Sequence, residues 1–319
     1  MENAVQSLDG GGVFCEPCAL AIGIFDAVHK GHQRVLSAAK DFAVQNGAKA
    51  FVLTFYPHPS KILGAKNLEG CPLIYPAGIR AELLLDFGMD GVFFKDFTPE
   101  FASKTPREFF DFLMEKFPNL KCVATGENFR FGFRASADVK VLKELAGERG
   151  VETISVCGVL DGGEFVSSTR LRKALREGDM QSFSEMSGRN YFCQGRVEDG
   201  RKLGRTIGFP TLNLKVSGEC MPKFGVYASR LRNLDTNEIF CGVSNLGVNP
   251  TVGECSPVLE TNTFNVPDFG TGANIKVELL KFLRAEEKFA SIDELKAQIA
   301  VDKEIAKNSF AFKFPEFYA

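Results

Sequence analysis

The sequence predicts a two-domain protein: a doubly wound parallel α/β sheet, followed by an antiparallel β-barrel with a C-terminal helix. Two patterns support this prediction. Up to about residue 187, short apolar runs alternate with helical patterns, as in parallel sheets wound with helices. Beyond that point, short β-like runs separated by Gly, Pro, Asn and Asp are typical of a barrel. A chain of 319 residues has room for about two domains, which we expect at residues 1–187 and 188–319.

Composition narrows the classes of function. The chain is 45% hydrophobic and 24% charged, with a net charge of −2, so neither nucleic acid nor a membrane surface is an expected partner. The N-terminus lacks the basic start and apolar core of a signal peptide, and no apolar run is long enough to span a membrane. We therefore expect a cytoplasmic protein with reduced cysteines. Cys15 and Cys18 form C-x-x-C, but without a second pair or a histidine at metal spacing we interpret this as coincidence rather than zinc binding.

The stretch Ala19–Gln33 contains the first candidate site. Its apolar start, Ala19–Phe25, predicts a buried strand, and the apolar spacing from Gly31 onward predicts a helix. His29 and His32 therefore lie where a parallel strand passes to a helix, which is where open α/β sheets bind ligands. The N-terminus of that helix would add free N–H groups and a positive dipole, which suit a phosphate.

The third histidine strengthens this interpretation. The chain has only three histidines, and His58 follows the next predicted strand, Ala50–Tyr56. All three would then lie at the ends of two neighbouring strands. Ordinary surface positions are the alternative, but we expect such a coincidence in only about one case in ten. The other predicted elements of this domain are helices at Gly78–Phe87, from the Thr105–Glu108 capping box, at Ala137–Glu148 and at Arg170–Glu177, and strands at Gly91–Phe94, Cys122–Thr125 and Val151–Val156.

Two further segments of this domain could contact a ligand. Gly126–Gly132, G-E-N-F-R-F-G, follows a predicted strand, and a turn with packed phenylalanines explains it equally well. Val166–Arg172, V-S-S-T-R-L-R, would bring hydroxyls, free N–H groups and an arginine together as an anion cradle. A plain helix cap followed by a solvated basic turn is the commoner meaning of such a string.

The second domain contains a glycine-rich segment, Gly200–Leu214. Its backbone N–H groups could surround phosphates, although it lacks the ending of a P-loop, and a mobile hairpin loop is the alternative. Thr211 and Asn213 are two residues apart, so in a strand both would face the same way and could ligate Mg²⁺ through oxygen. A polar pair on a solvated face is the alternative there. The β-like runs of this domain are Tyr191–Val197, Gly225–Leu231, Ile239–Leu246, Val258–Val266 and Ile275–Phe282, and a helix capped by Ser291 and Glu294 follows them.

Several of these strings resemble a known family. H-K-G-H matches the HxGH signature of nucleotidylyltransferases, and S-S-T-R-L-R matches their S-S-T-x-x-R signature. G-I-F-D-A-V-H-K-G-H-Q, T-F-Y-P-H-P, G-F-P-T-L-N, G-V-S-N-L-G-V-N-P-T-V and L-E-T-N together resemble the bacterial bifunctional riboflavin kinase/FAD synthetases. The resemblance extends from about Ala19 to Ala306. It implies an HxGH-type nucleotidylyltransferase domain followed by a riboflavin-kinase barrel.

The resemblance also implies an activity and a role for each candidate residue. The barrel would phosphorylate riboflavin with ATP and Mg²⁺, and the first domain would join FMN to ATP, giving FAD. The implied catalytic residues are His29, His32 and Glu260; those for ATP or phosphate are Gly23, Phe25, Asp26, Ser168, Thr169, Arg172, Gly204 and Gly208; those for flavin are His58, Asn128, Phe129 and Arg130; those for the metal are Thr211 and Asn213.

Two positions depart from the family pattern. Ala27 replaces a usual Gly, which would cost adenylylation activity if the position needs a positive φ. Asn262 stands where a His or an aromatic residue is common. Two alternatives stay open: only one of the two modules is active, or the barrel binds flavin without phosphorylating it. Riboflavin, FMN and ATP are the expected small-molecule partners, together with weak self-association. The preferred metal and any need for reduced flavin do not follow from the sequence.

Overall fold

The computed structural model describes residues 4–63, 72–200, 208–248 and 257–313. The chain divides into two compact units, Met1–Ser168 and Thr169–Ala319, and each is described by itself. The expected boundary between two catalytic domains, at residues 187 and 188, stays a prediction, because a compact unit need not coincide with a catalytic module.

The first unit is a parallel sheet wound with helices. In the sheet the strand order is β1-β4-β3-β2-β5-β6, and all neighbouring strands are parallel. Its strands are β1 (Val5–Ser7), β2 (Cys18–Ile22), β3 (Lys49–Tyr56), β4 (Gly91–Asp96), β5 (Leu120–Gly126) and β6 (Glu152–Val156), with a hairpin of β7 (Leu160–Asp161) and β8 (Glu164–Phe165). Its helices are α1 (Lys30–Gln45), α2 (Pro59–Leu63), α3 (Ala77–Asp86), α4 (Pro99–Ala102), α5 (Pro106–Lys116) and α6 (Val139–Gly147).

The strand order fixes where a ligand can bind. The chain leaves β2 toward β3 and β4 on one side and continues with β5 and β6 on the other. A crevice therefore opens where the carboxyl ends of β2 and β5 diverge, which is the usual ligand position in open α/β sheets. All five residues of β2 are buried, so this strand is the centre of the unit. Phenylalanines fill much of the core beside it, namely Phe51, Phe55, Phe93, Phe101, Phe109, Phe110, Phe112, Phe117 and Phe131.

The second unit is a closed antiparallel barrel. The strands follow one another in the order β10-β13-β12-β11-β14-β9, and β9 pairs with β10 to close the ring. They are β9 (Tyr191–Glu198), β10 (Leu212–Lys215), β11 (Gly225–Asn233), β12 (Ile239–Val248), β13 (Pro257–Thr263) and β14 (Asn274–Arg284). The helices are α7 (Ser168–Glu177), whose first residue ends the first unit, α8 (Met180–Ser187) and α9 (Ile292–Lys313).

Helix α9 covers one outer face of the barrel. Ala306 and Phe310 are buried against Val226, Ala228 and Val243 of β11 and β12. A partly buried ion pair holds the same contact, because the Arg284 guanidinium donates to both oxygens of the buried Asp302 carboxylate at 2.8–3.1 Å. Gln298 of the same helix donates a further hydrogen bond to Asp302, at 2.9 Å.

The fold class predicted from the sequence is confirmed, with several elements missed. The predicted strands at Ala50–Tyr56 and Cys122–Thr125 lie within β3 and β5, and the Thr105 capping box is present, with Glu108 N–H donating to Thr105 Oγ1 at 3.3 Å. Its reciprocal hydrogen bond, from the Thr105 backbone N–H to the Glu108 carboxylate, lowers the pKa of that carboxyl. The sequence did not predict β1, α2, α4, the β7–β8 hairpin, α8 or β10. Most of these are short, and α8 follows α7 too closely to be distinguished from the end of that helix.

We predict that Asp302→Ala destabilises the barrel by about 3 kcal/mol, because it leaves the Arg284 charge without its buried partner. Glu304→Ala on the same helix is the matched control. Glu304 pairs with Lys307 on an exposed face, so its loss should cost less than about 0.5 kcal/mol. Hydrogen exchange in β11 and β12 of the intact chain measures both. Equal protection in the two variants would show that the ion pair does not hold the helix.

Candidate active sites

The turn after β2 has an unusual backbone. Phe25, Ala27 and Val28 have φ values of 53°, 61° and 45°, in the left-handed region that favours glycine. Position 27 therefore does have a positive φ, although its residue is alanine and not glycine. The chain returns to an extended conformation at His29, which is the N-cap of α1. The turn thus brings two histidines directly onto the first turn of a helix.

Two buried charged side chains hold this turn. The Asp26 carboxylate is fully buried and accepts backbone N–H groups from Ile74, at 3.0 Å, and Tyr75, at 3.4 Å. The Arg80 guanidinium is also fully buried and donates to the Ile24 carbonyl at 2.7 Å and to Thr54 Oγ1 at 3.3 Å. A buried charge is tolerated only when hydrogen bonds replace its water, so these bonds fix the turn. A contact between Asp26 and ATP stays a prediction; the bonds described here give Asp26 a structural task.

The two histidines form one unit. Their rings stack with centroids 3.6 Å apart and an angle of 16° between the planes, and Phe25 packs its ring against His32 at 5.3 Å. His29 Nδ1 accepts the His32 backbone N–H at 3.3 Å. A neutral imidazole that accepts at Nδ1 has its proton on Nε2, so His29 can donate from that atom. The first turn of α1 has no acidic residue, which leaves its positive helix end uncompensated from within the helix.

Gly31, inside the HxGH string, is closely packed. A Cβ at this position would lie 3.2 Å from the His29 ring and 3.7 Å from the Val166 carbonyl oxygen. The backbone just before Ser167 therefore lies beside the turn that leads from Phe25 to His29 and His32, which we call the histidine turn. Ser168 ends the first unit, whereas Thr169 and Arg172 belong to the second, where Arg172 is buried in the first turns of α7. The predicted contact of these three residues with phosphate stays a prediction.

A cavity of about 310 Å³ opens beside the same strand ends. The predicted residues Gly23, Asn128, Phe129 and Arg130 line it. Phe129 stacks on Phe131 with ring centroids 5.7 Å apart. Six phenylalanines line its wall, namely Phe55, Phe97, Phe101, Phe109, Phe129 and Phe131. Such walls suit a planar, largely apolar ring system.

Two predicted flavin residues lie at the rim of this region. Arg130 pairs with Asp138 at 3.4 Å, and a hydrogen bond from the Val141 N–H is the main cause that lowers the pKa of Asp138. His58 stands before α2, where its Nδ1 accepts the Ser60 backbone N–H at 3.2 Å. His58 is therefore a helix cap next to Pro59, which lines the cavity. A direct contact between His58 and flavin stays a prediction.

In the barrel, the predicted catalytic residue Glu260 lies in a cavity under α9. Glu260 on β13 pairs across the sheet with Asn213 of β10 and Asn245 of β12, so all three face the same side. The cavity has a volume of about 380 Å³ and is lined by Glu260 and Thr211, with Leu295 and Ile299 of α9 among its apolar walls. Glu260 is half-buried there, whereas a glutamate on a strand is usually exposed to water.

A second, more polar cavity of about 230 Å³ adjoins this one. Thr211 lines both cavities, and Asn213 lines the second together with Asp199 and Gly200. A Cβ at Gly200 would collide with the Asn213 amide, so this glycine leaves room for the side chain. Hydroxyl and amide oxygens facing one polar cavity fit the oxygen ligands that Mg²⁺ prefers. The residues present therefore fit a magnesium site.

The glycines predicted to contact phosphate can be placed only in part. Gly208 has φ +86° and is exposed just before Phe209, a residue of the cavity under α9. Gly204 lies outside the described residues. Sequence reasoning missed Arg80 and Asp302, because a charged residue in a helix is usually solvated and nothing in the pattern marked these two as buried.

The two cysteines of the C-x-x-C string lie in different surroundings. Cys18 lies fully buried within β2, and burial raises the pKa of its thiol to about 12, so it stays protonated. Cys15 is exposed in the segment before the strand.

Within the parts of the chain that the structure describes, no helix is both long and apolar enough to cross a membrane.

Comparison with known proteins identifies relatives along nearly the whole chain. The family model for FAD synthetase matches residues 14–170, and that for riboflavin kinase matches residues 187–310. The bifunctional riboflavin kinase/FMN adenylyltransferase of Escherichia coli (strain K12) is 34% identical over 94% of this chain and 95% of its own length. The protein of the same name from Bacillus subtilis (strain 168) is 35% identical over 92% of each chain.

A solved structure supports the fold over its full length. The crystal structure described as a macrolide-efflux protein from Streptococcus pneumoniae has a TM-score of 0.84 and 27% identity, and the match covers 96% of this chain and 99% of that one. The similarity in fold therefore includes residues of both units.

We predict that Ala27→Gly changes the free energy of unfolding by less than about 1 kcal/mol. Relief of the left-handed conformation is worth about 1–2 kcal/mol, which offsets one buried methyl group and the looser unfolded chain. Ala39→Gly in α1 is the matched control, fully buried with helical backbone, and should cost about 2 kcal/mol. Thermal unfolding of both variants measures the difference. Equal losses would show that no strain is stored at Ala27.

Proposed function

Because the chain belongs to the family of bifunctional riboflavin kinase/FMN adenylyltransferases, we propose how its residues divide the two reactions between two sites. The chain has both activities. One transfers the γ-phosphoryl group of ATP to riboflavin, giving FMN and ADP. The other joins FMN to the adenylyl group of ATP, giving FAD and pyrophosphate. ATP and flavins are the substrates and products.

We assign adenylyl transfer to the histidine turn of the first unit. An oxygen of the FMN phosphate attacks the α-phosphorus of ATP, and the bond to the β-phosphate breaks. Negative charge builds on the α-phosphate oxygens, where the proton on His29 Nε2 and the N–H groups at the start of α1 can donate. The stack of His29 on His32 holds the donor in place. Gly23 and Phe25 would contact ATP beside this turn, as the sequence predicted.

The aromatic cavity beside β2 is the proposed site for the flavin of FMN. Phe129 offers a ring face for the isoalloxazine, Asn128 offers an amide for its polar edge, and Arg130 at the rim suits the FMN phosphate. Gly23 lines this cavity two residues before Phe25, and its lack of a side chain leaves room for the Phe25 ring, which a Cβ would approach to 3.1 Å. Ser168, Thr169 and Arg172 would hold the departing pyrophosphate through hydroxyls, helix N–H groups and one guanidinium.

We assign riboflavin phosphorylation to the two adjoining cavities of the barrel. The cavity under α9 has the apolar walls for the flavin, and the polar cavity beside it suits the phosphates of ATP. The observation that supports this division is the position of Thr211, which lines both. Glu260 lines the flavin side, so it can accept the proton of the ribityl 5′-hydroxyl as that oxygen attacks the γ-phosphorus.

Thr211 and Asn213 would hold Mg²⁺ through their side-chain oxygens. The bound ion would neutralise charge on the phosphates of ATP. Gly204 and Gly208 would contribute backbone N–H groups to the same phosphates. A cytoplasmic location, weak self-association and a boundary between catalytic domains near residue 187 complete the proposal.

A time course tests the whole assignment. The purified chain is incubated with riboflavin, ATP and Mg²⁺, and riboflavin, FMN and FAD are resolved chromatographically. Successive appearance of FMN and FAD is expected. Bound flavin that never reacts with ATP would instead favour a passive flavin-binding barrel, and accumulation of FMN alone would favour a chain with one active module.

We predict that His29→Ala lowers FAD formation from supplied FMN about 10²-fold or more, because it removes a donor to the developing charge. His32→Ala should have a comparable effect, since it removes the ring on which His29 stacks. Riboflavin phosphorylation by the same preparations is the control and should be unchanged. Parallel loss of both activities would indicate misfolding and remove the support for this site.

We predict that Glu260→Gln lowers FMN formation about 10²–10⁴-fold while riboflavin still binds, because the amide keeps size and hydrogen bonding but cannot accept the proton. FAD synthesis from supplied FMN is the internal control. A wild-type rate of phosphorylation in this variant would exclude Glu260 as the base.

We predict a different defect for Thr211→Ala and Asn213→Ala. Each should raise the concentrations of Mg²⁺ and ATP required for half-maximal riboflavin phosphorylation, because each removes one oxygen ligand. The KM for riboflavin, measured at saturating Mg²⁺ and ATP, should change much less. A rise in the riboflavin KM alone would contradict the metal assignment.

A further inference from the structure

Asn262 is a buried amide with one unsatisfied atom. It lies two residues beyond Glu260 on β13, lines the cavity under α9 and is only 6% exposed. Its Nδ2 donates to the Pro210 carbonyl at 2.7 Å. That bond fixes which end of the amide is nitrogen, because a carbonyl can only accept. Among the described residues, Asn262 Oδ1 is buried and has no hydrogen-bond partner.

A buried acceptor without a donor is costly, so such an atom calls for an explanation. The other amide of this cavity, Asn245, already donates to Glu286 at 3.2 Å. Asn262 differs from Asn245 because its buried acceptor finds no donor among the residues that the structure describes, in a cavity assigned to riboflavin. A donor on the substrate would satisfy it.

Riboflavin offers two kinds of donor, the hydroxyls of its ribityl chain and the ring N3–H. The position of Glu260 distinguishes them. Glu260 and Asn262 lie on the same face of β13, about 6.6 Å apart along the strand. With the 5′-hydroxyl at Glu260, the 2′- and 3′-hydroxyls lie at about that reach along an extended polyol, whereas N3–H lies beyond it at the far edge of the ring.

We propose that Asn262 Oδ1 accepts a hydrogen bond from the 2′- or 3′-hydroxyl of the ribityl chain and so sets the position of the 5′-hydroxyl on Glu260. This inference rests on the proposed placement of riboflavin under α9. Asn262 then selects the substrate class: a flavin that bears a hydroxylated chain at N10, rather than a flavin ring alone. The Pro210 carbonyl acts as the positioning group, because it orients the amide next to Thr211.

Substrate analogues test the contact in the intact chain. The kcat/KM for phosphorylation is measured for riboflavin and for its 2′-deoxy, 3′-deoxy, 4′-deoxy and N3-methyl analogues, with wild type and with Asn262→Leu, which has nearly the same shape. In wild type, removal of the paired hydroxyl should lower kcat/KM about tenfold. In Asn262→Leu, kcat/KM on riboflavin itself should fall about tenfold, and removal of the same hydroxyl should have no further effect.

Asn262→Ala is the second variant, since it removes Oδ1 without placing a methyl group against the Pro210 carbonyl. It should show the same loss of discrimination. Coupling of Asn262 to the 2′- or 3′-hydroxyl supports the proposal. Coupling confined to the 4′-hydroxyl or to N3, or equal losses from the analogues in wild type and both variants, overturns it. Glu260→Gln, assayed alongside, separates this outcome from failure of the underlying assignment, because that variant loses phosphorylation whether or not Asn262 touches the substrate.

Discussion

The buried carboxylate of Asp26 is the constraint on which the proposed adenylyl-transfer site depends. Three residues of this turn, Phe25, Ala27 and Val28, have a left-handed conformation that side chains disfavour. Backbone N–H groups of Ile74 and Tyr75 bind the carboxylate in the interior and keep the turn in this conformation. Without these hydrogen bonds the sharp turn after β2 would not be held, and the histidines would not be placed at the N-terminus of α1.

In the barrel, strand pairing rather than a buried carboxylate positions the candidate residues. Closure of the ring fixes strand register, so Glu260, Asn213 and Asn245 lie side by side because their backbones pair. A strand alone would leave these side chains in water. The cover is α9, held by apolar contacts and by the Arg284–Asp302 pair, and it converts an exposed face of the barrel into a cavity. The Thr261 hydroxyl, on the opposite face of β13, bonds to Ser244 at 2.8 Å.

The sequence predicted the fold class and most of the candidate residues because both leave local patterns. Apolar runs, capping boxes and the histidine turn are contained within a few residues, as are the two signature strings. The sequence could not predict that Arg80 is buried and donates hydrogen bonds to Ile24 and Thr54, since these residues lie 56 and 26 positions away. Within the described parts of the chain Asn262 Oδ1 has no hydrogen-bond partner, and this too could not be predicted, because the group that binds the other end of the amide, the Pro210 carbonyl, is distant in the sequence.

The different chemistry of the two nucleophiles explains why one site has a carboxylate and the other has histidines. The ribityl hydroxyl is a very weak acid, so it needs a base at the moment of attack, and Glu260 lines the cavity where that hydroxyl would lie. The FMN phosphate is largely ionised at neutral pH, because its second pKa is about 6, and it needs no base. An anion attacking a triphosphate needs donors instead. In our proposal His29, with its proton on Nε2, supplies one. Asp26, the carboxylate described in that turn, accepts backbone N–H groups from Ile74 and Tyr75 and so has a structural role.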